Sequence, residues 1–361
     1  MPLPTLMAAV QLIGHGDYDM LHYSETLSVP LPGTGEVLIR VKAAGINNTD
    51  VNTRIGWYAA TVRQGTAEAS EGHSPIVTGD WSGRGLTFPR IQGADVCGEI
   101  VSVGEGVAED RIGERVIVQS CLLSRHQGRF TPWLGSEFDG GFAQFVRAPA
   151  ADTYQVCCTL SDAQLAAVPC AYGTAENMLH RTGLAEGETV LVTGASGNVG
   201  LAAVQLARLR GAHVIAIVAT EKSAAVEAAG AERCIARGAP LIPSLQADSI
   251  DCVIDLVGGP QWPQLLDVLH PQGRLAVSGA IAGPIVEMDL RTVYVKDLSL
   301  FGCTSQHPDV FGQLICYLEK GQLRPVVAKQ YPLKEIADAQ RDFLSKKRVG
   351  KIVLIPPESK S

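Results

Sequence analysis

The 361-residue sequence lacks the features by which nucleic-acid-binding, membrane-spanning and secreted proteins are usually recognised. Its 30 Lys and Arg residues are outnumbered by 37 Asp and Glu, and no Lys/Arg-rich run offers a surface for nucleic-acid phosphates. No apolar run reaches the roughly 18 residues that span a bilayer. The first Lys or Arg is Arg40, so a basic secretory leader is not indicated. We therefore expect a cytoplasmic protein that binds neither nucleic acid nor membrane.

A disulfide framework is not indicated either. The nine cysteines are odd in number and scattered along a long chain, which fits a reducing cytoplasm. Hydrophobic residues make up 46% of the chain and the formal net charge is −7, so the chain is not intrinsically disordered. A length of 361 residues predicts about two domains, each with its own core.

Short β-type runs separated by glycines occupy roughly the first 150 residues. We predict strands at Val37–Lys42, Glu99–Gly104, Arg115–Val118 and Phe142–Val146. Residues 59–90 are rich in Gly, Ser and Thr and are predicted to form a long surface excursion. This part of the sequence therefore predicts a small, mostly β domain.

A different pattern begins near residue 160. Thr189–Thr193 is a continuous apolar run, as expected for a strand that is covered on both faces. Strands and helices then alternate, with predicted elements at Val199–Arg210 (helix), His213–Val218 (strand), Ala224–Ala229 (helix), Asp251–Val257 (strand), Trp262–Leu269 (helix) and Arg274–Ser278 (strand). This alternation predicts an α/β fold with a doubly wound parallel sheet. An amphipathic helix from about Asp309 and a strand at Lys351–Leu354 follow.

The turn between the first of these strands and its helix, Gly194–Gly200, carries glycines at GxxGxxG spacing. Glycine is required where backbone approaches a pyrophosphate and where a helix packs closely on a strand. The following helix N-terminus offers free N–H groups to phosphates. We therefore predict a dinucleotide site, although the spacing differs from GxGxxG and such turns also occur without a ligand.

The end of the second strand favours NADPH over NADH. NAD sites generally place an acidic residue there for the ribose 2′-hydroxyl, whereas this strand ends apolar and continues to Thr220 and Lys222. These two side chains and Arg237 would accept a 2′-phosphate. Glu221 complicates the prediction, since it could be solvated or could cap the next helix.

Six segments then occur in an order that is specific to one superfamily. They are Gly45–Asp50, Ile91–Gly98, Gly140–Ala143, Gly173–Ala175, Gly194–Gly200 and Val349–Leu354. On these segments the chain resembles the medium-chain dehydrogenase/reductase superfamily over nearly its whole length, and within it the zinc-free NADPH:quinone oxidoreductase-like branch.

The resemblance implies a GroES-like substrate domain at 1–157, completed by 309–361, and a Rossmann NADP-binding domain at 158–308, with the active site in the cleft between them. It also implies a homodimer. The apolar segment Leu298–Gly302 could pair across a two-fold axis.

The resemblance also bears on metal binding. Zinc alcohol dehydrogenases of the superfamily carry a Cys, a His-Glu pair and a later Cys or Asp at positions that match Asn47, Ala94-Asp95 and Cys170 here. One thiolate does not make a site that normally needs three protein ligands. We predict no metal, with an unusual site formed by Asp95, Cys97 and Cys170 as the alternative.

Without a Lewis acid, transfer of hydride to a quinone or an activated C=C bond is easier than reduction of a plain carbonyl. The resemblance implies that activity, with a small-molecule acceptor, and places Asn47 and Tyr58 in the pocket as catalytic residues. Asn47 could instead brace a turn, and Tyr58 could be a core aromatic residue. The family branch often has Tyr where this chain has Asn52, so a bound water could supply the proton.

The predicted cofactor-binding residues are drawn from the turn, the second strand and the family landmarks. They are Thr174, Ser196, Gly197, Asn198, Val199, Thr220, Lys222, Arg237, Gly279 and Lys351. Three other functions stay open on the sequence: an enoyl-thioester reductase, a zinc-type alcohol dehydrogenase and a catalytically silent NADPH-binding protein.

Overall fold

A computed structural model describes residues 3–71, 86–128 and 130–358. The strands are β1 (Leu6–Leu12), β2 (Leu21–Ser28), β3 (Glu36–Gly45), β4 (Arg90–Ile91), β5 (Asp95–Val103), β6 (Arg115–Val118), β7 (Phe145–Pro149), β8 (Thr153–Gln155), β9 (Thr189–Val192), β10 (His213–Val218), β11 (Arg233–Ala236), β12 (Ile250–Asp255), β13 (Leu269–Val277), β14 (Ser299–Gly302), β15 (Val327–Pro332) and β16 (Lys351–Ile355). The helices are α1 (Asn48–Arg54), α2 (Thr66–Glu71), α3 (Asp162–Leu165), α4 (Pro169–Thr182), α5 (Asn198–Leu209), α6 (Ser223–Ala228), α7 (Leu241–Ser244), α8 (Trp262–Val268), α9 (Leu290–Val295), α10 (Pro308–Glu319) and α11 (Ile336–Leu344).

The chain divides into two compact units. The described residues of the first unit are 3–62, 86–128, 130–170 and 311–358, and those of the second are 63–71 and 171–310. The domain boundaries given by the resemblance, at 157/158 and 308/309, stay predictions. The surface excursion predicted at 59–90 lies outside the described residues between 72 and 85, and its earlier part includes α2.

The first unit is mostly β, as predicted. A seven-stranded sheet has the order β15-β16-β3-β5-β6-β8, with β7 also paired to β3, and a smaller sheet has the order β2-β1-β4. Their apolar faces share one core, which includes Leu38, Ile100 and Phe142. The strand predicted from Phe142 instead begins at Phe145, because Phe142 pairs with the Val10 N–H and the Gln92 carbonyl rather than with β3.

The second unit contains the predicted doubly wound sheet. Its strands are all parallel in the order β11-β10-β9-β12-β13-β14, so the chain reverses direction across the sheet between β9 and β12. Ligands of such sheets bind at the carboxyl ends of the strands, where this reversal leaves a crevice. The order therefore places the predicted phosphate turn, which follows β9, at the point where a dinucleotide is expected.

Two glycines explain how β9 passes into α5. Gly194 has φ +58°, a left-handed conformation that other residues rarely adopt. A Cβ on Gly200 would lie only 2.6 Å from the Ala195 Cα, so α5 can pack on the turn only with glycine there. Leu201 and Val204 then bury the inner face of α5. No helix within the described ranges is long and apolar enough to cross a membrane.

Candidate functional site

Three buried polar side chains meet at the ends of β3, β5 and β16 in the first unit, and we call them the Lys351–Asp95–Asn47 cluster. The Lys351 ammonium donates to the Asn47 Oδ1 at 2.6 Å and forms an ion pair with the Asp95 carboxylate. The Asn47 Nδ2 donates to the Asp95 Oδ2 at 2.9 Å. Asn47 is 6%, Asp95 0% and Lys351 1% exposed. The sheet brings them together because Gly45 pairs with both Asp95 and Val353.

Asp50 links this cluster to the first turn of α1. Its carboxylate accepts hydrogen bonds from the backbone N–H groups of Asn47 at 2.7 Å and of Gly93 at 3.3 Å. Burial raises the pKa of Asp50 to about 7, although the Asn47 hydrogen bond and the Lys351 charge act in the opposite direction. Asp50 therefore braces the turn that presents Asn47.

Tyr58 follows α1 and is half-buried. Its hydroxyl is hydrogen-bonded to the side chains of Thr49 and Asn52, and burial raises its pKa, with smaller contributions from nearby Cys170 and Asp50. The Asn52 Oδ1 is buried and accepts no hydrogen bond within the described part of the chain. The structure thus places both predicted catalytic residues, Asn47 and Tyr58, around the same helix turn.

The turn Gly194–Gly200 of the second unit, which is predicted to bind phosphate, presents polar groups around the start of α5. Gly197 is the exposed residue that precedes α5, and Ser196, Asn198 and Val199 are half-buried. The Asn198 Oδ1 is buried, and no hydrogen-bond donor reaches it among the residues that the structure describes. A buried acceptor without a partner is unfavourable unless a ligand or water supplies the donor.

Lys222 and Arg237 lie at the carboxyl ends of the neighbouring strands β10 and β11, which pair through Val218 and Ala236. Burial and the nearby Arg237 charge lower the pKa of Lys222, and the smaller effect of Glu221 raises it. Two cations held close together favour a bound anion. Thr220 is exposed beside them.

The remaining predicted cofactor residues are also placed. Thr174 is half-buried on α4, and Gly279 follows β13, where a Cβ would lie 2.6 Å from the Leu256 carbonyl oxygen. Lys351 belongs to the buried cluster of the first unit.

Comparison with known proteins identifies the family. Residues 33–157 match the family model described as "Alcohol dehydrogenase GroES-like domain", and residues 198–320 match that described as "Zinc-binding dehydrogenase". An acryloyl-coenzyme A reductase from Metallosphaera sedula is 31% identical over 96% of this chain and 99% of its own length. The quinone oxidoreductase of Rattus norvegicus is 29% identical over 97% and 98%. The chain belongs to the medium-chain dehydrogenase/reductase superfamily, in its quinone oxidoreductase-like branch.

A solved structure agrees with this assignment. A protein of Sinorhizobium meliloti 1021, provisionally named an alcohol dehydrogenase, is 45% identical with a TM-score of 0.89 over 98% of both chains. The superfamily consists of oxidoreductases that bind a nicotinamide cofactor. The predicted fold class, a GroES-like domain with a Rossmann domain, is therefore confirmed.

The donor set of this chain does not fit the zinc site of the superfamily's alcohol dehydrogenases. At the matching positions, Asn47 and Ala94 are not zinc ligands, and Asp95 is paired with Lys351. The Cys97 thiol donates to the Asp162 carboxylate at 3.7 Å. Across residues 3–71, 86–128 and 130–358, no group of three or more His, Cys, Asp or Glu side chains could hold a metal.

Sequence reasoning missed two parts of these sites. One is the ion pair of Lys351 with Asp95, whose sequence separation hides it from any local pattern. The other is Asp255 at the end of β12, whose carboxylate accepts from the Thr193 hydroxyl at 2.6 Å and from the Trp262 indole N–H at 2.9 Å. The signal available in the sequence was a polar residue, Thr193 or Asp255, at the end of each of two buried apolar strands.

We predict that Asp50→Asn becomes stabilising as the pH rises. The folded-state pKa of Asp50, about 7, lies above its ordinary value of 3.8, so the stability that protonation contributes is lost between those values as the pH increases. Asn keeps an acceptor for the Asn47 N–H without ionising. The melting temperature of the variant minus that of the wild type should therefore increase from pH 5 to pH 8.

Asp342→Asn is the matched control with the opposite sign. Hydrogen bonds from Arg348 and Tyr331 outweigh partial burial and lower the pKa of Asp342, so the wild type should lose its advantage over this variant only in strongly acidic solution. A difference in melting temperature between Asp50→Asn and the wild type that does not change with pH would contradict the prediction.

Proposed function

We propose that the protein is a zinc-free, NADPH-dependent oxidoreductase that transfers hydride to a quinone or an α,β-unsaturated carbonyl compound. The observation that carries the proposal is the Lys351–Asp95–Asn47 cluster, in which Asn47 and Asp95 lie at positions that match the zinc site of the superfamily's alcohol dehydrogenases and are bonded to Lys351 instead. Reduction of a plain carbonyl is harder without a Lewis acid that polarises its oxygen. Quinones and conjugated carbonyls are already electrophilic and need only hydrogen-bond donors at the developing oxyanion.

The residues of the second unit fit the cofactor. When bound, NADPH supplies the hydride. Backbone N–H groups at the start of α5 would hold its diphosphate, and the buried Asn198 Oδ1, which accepts no hydrogen bond in the described chain, would take a donor from the ligand. The two neighbouring positive charges of Lys222 and Arg237, with Thr220, would hold the 2′-phosphate. We also assign Thr174, Ser196, Gly197, Val199 and Gly279 to cofactor binding, whereas Lys351, predicted with them, is engaged in the buried Lys351–Asp95–Asn47 cluster of the first unit.

The first unit would supply the proton and orient the acceptor. We assign the Tyr58 hydroxyl as a hydrogen-bond donor to the acceptor oxygen, because it lies beside Thr49 and Asn52 of α1 and burial raises its pKa, so that it stays protonated. The Asn52 Oδ1, buried and without a donor in the described part of the chain, would hold a water that replenishes the proton. Asn47 would orient the acceptor from the adjacent turn.

An enoyl-thioester reductase is the second candidate. The observation that favours it is the relative named acryloyl-coenzyme A reductase, which is 31% identical over nearly the full length of both chains. An enoyl thioester is also an activated alkene, so the same residues would serve. A cytoplasmic location is part of this proposal, and it is supported by the nine cysteines, all within the described residues, none of which forms a disulfide bond.

The proposal is tested by the oxidation of NADPH with a panel of acceptors. We expect turnover of quinones, enones or an enoyl-CoA that a chelator does not affect, and none of saturated aldehydes. Tyr58→Phe should lower kcat by roughly 100-fold, as expected for loss of a proton donor. Tyr23→Phe, which removes another hydroxyl of the first unit, is the control. Chelator-sensitive turnover confined to saturated aldehydes would overturn the proposal, and binding without any turnover would point to a silent NADPH-binding protein.

Cofactor choice has its own test. Lys222→Gln and Arg237→Gln should each raise the KM for NADPH by about tenfold, the amount expected for one charged hydrogen bond to phosphate, and leave the KM for NADH unchanged. Arg233→Gln on β11, whose guanidinium donates to the Ser244 carbonyl, is the control cation. An equal rise in KM for NADPH and NADH would contradict the assignment of Lys222 and Arg237 to the 2′-phosphate.

We also propose a homodimer in which the exposed edge strand β14 pairs across a two-fold axis. Leu300 on β14 is 39% exposed, and Tyr294 and Val295 on the preceding helix α9 are 65% and 70% exposed. Such an apolar edge favours pairing with another chain. Leu300→Asp should give a monomer by light scattering, whereas Leu31→Asp in the first unit should not. A monomeric wild type would overturn the proposal.

A further inference from the structure

The positive charge of the Lys351–Asp95–Asn47 cluster is buried and paired with a carboxylate. The Lys351 ammonium lies within the first unit with 1% of the residue exposed, and its partner Asp95 has 0% exposed. A charge removed from water in this way is tolerated only when it is paired and hydrogen-bonded. The two residues that the ammonium contacts, Asn47 and Asp95, lie where the superfamily's alcohol dehydrogenases carry the Cys and the His-Glu pair of their zinc site.

We infer that Lys351 orients Asn47 for the reaction: its ammonium balances Asp95 and fixes which end of the Asn47 amide faces each partner. The inference rests on the proposed function, in which Asn47 orients the acceptor, and names the residue that positions it. Lys351 is a positioning residue in this role, since it acts through Asp95 and Asn47.

The hydrogen bonds of Asp95 support this inference. One carboxylate oxygen accepts from the Cys170 backbone N–H at 2.6 Å. The other accepts from the Asn47 Nδ2 at 2.9 Å and pairs with the Lys351 ammonium. Asp95 thus holds both the lysine and the amide, and its removal would leave the ammonium buried without its counter-charge.

The backbone around Lys351 is shaped to admit its side chain. Gly350 has φ +97°, and a Cβ there would lie 2.6 Å from the Val326 carbonyl oxygen. A Cβ on Gly45 would lie 2.7 Å from the Asp95 Oδ2 and would also collide with the Lys351 Cε. Two glycines thus provide the turn that directs Lys351 inward and the space for its stem.

The amide of Asn47 is fixed by the same contacts. Its Oδ1 accepts from the Lys351 ammonium at 2.6 Å, and its Nδ2 donates to Asp95 at 2.9 Å and lies 3.4 Å from the Gly45 carbonyl oxygen. Reversal of the amide would bring the amide NH2 against the ammonium and the amide oxygen against the carboxylate. The cation therefore determines which end of Asn47 faces each partner.

The test compares the wild type with Lys351→Met, Asp95→Asn and the double variant. Lys351→Met should lower the melting temperature by roughly 10 °C, because it leaves a buried carboxylate unpaired. The double variant should recover part of that loss, which also keeps the test informative if the single variant does not fold.

Activity gives a second readout. Lys351→Met and Asn47→Ala should each lower kcat by a larger factor than they change KM. The variant that carries both of these substitutions should have nearly the same kcat as Asn47→Ala alone. The inference is overturned if Lys351→Met and Asn47→Ala lower kcat independently of each other, or if Lys351 and Asp95 contribute additively to the melting temperature. The melting measurement remains decisive even if no acceptor is reduced, so failure of the proposed function is recognised separately.

Discussion

The buried ion pair between Lys351 and Asp95 is the constraint on which the arrangement of the first unit depends. It joins the first residue of β16 to the first residue of β5, and Asn47 after β3 completes it. Removal of one partner would leave a buried charge that typically destabilises by about 3–5 kcal/mol. The neighbouring glycines, the fixed amide and the brace of Asp50 on α1 follow from the need to keep this charge satisfied.

The second unit also depends on a buried carboxylate, which is held by hydrogen bonds instead of an ion pair. Asp255 ends β12 beside the point where the sheet reverses, and the Thr193 hydroxyl, the Trp262 indole and the N–H groups of Val257 and Gly258 donate to it. Burial raises its pKa, and these donors act in the opposite direction. The carboxylate thus holds the ends of β9 and β12 together, from which the phosphate turn begins. In both units an acidic side chain organises the loops that carry the candidate ligand-binding residues.

Sequence patterns predicted those parts of the structure that depend on neighbours along the chain. The apolar run Thr189–Thr193, the glycines of Gly194–Gly200 and the alternation after them are local, and they were enough for the parallel sheet and its turn. The contact of Lys351 with Asp95 depends on how two distant strands pair with β3, which no local pattern encodes. The same reason explains Phe142, whose partners Val10 and Gln92 are remote in sequence.

The nature of the cation bears on the acceptor that we propose. A zinc ion offers an open coordination position, so it can bind a carbonyl oxygen or an alkoxide directly and change its reactivity. An ammonium has no such position, and the Lys351 ammonium is already engaged with Asp95 and Asn47. A site built this way can orient groups and balance charge, but it does not activate a carbonyl in the way that a bound zinc ion does. This is why the acceptor that we propose carries its own activation, as a quinone or a conjugated carbonyl compound does.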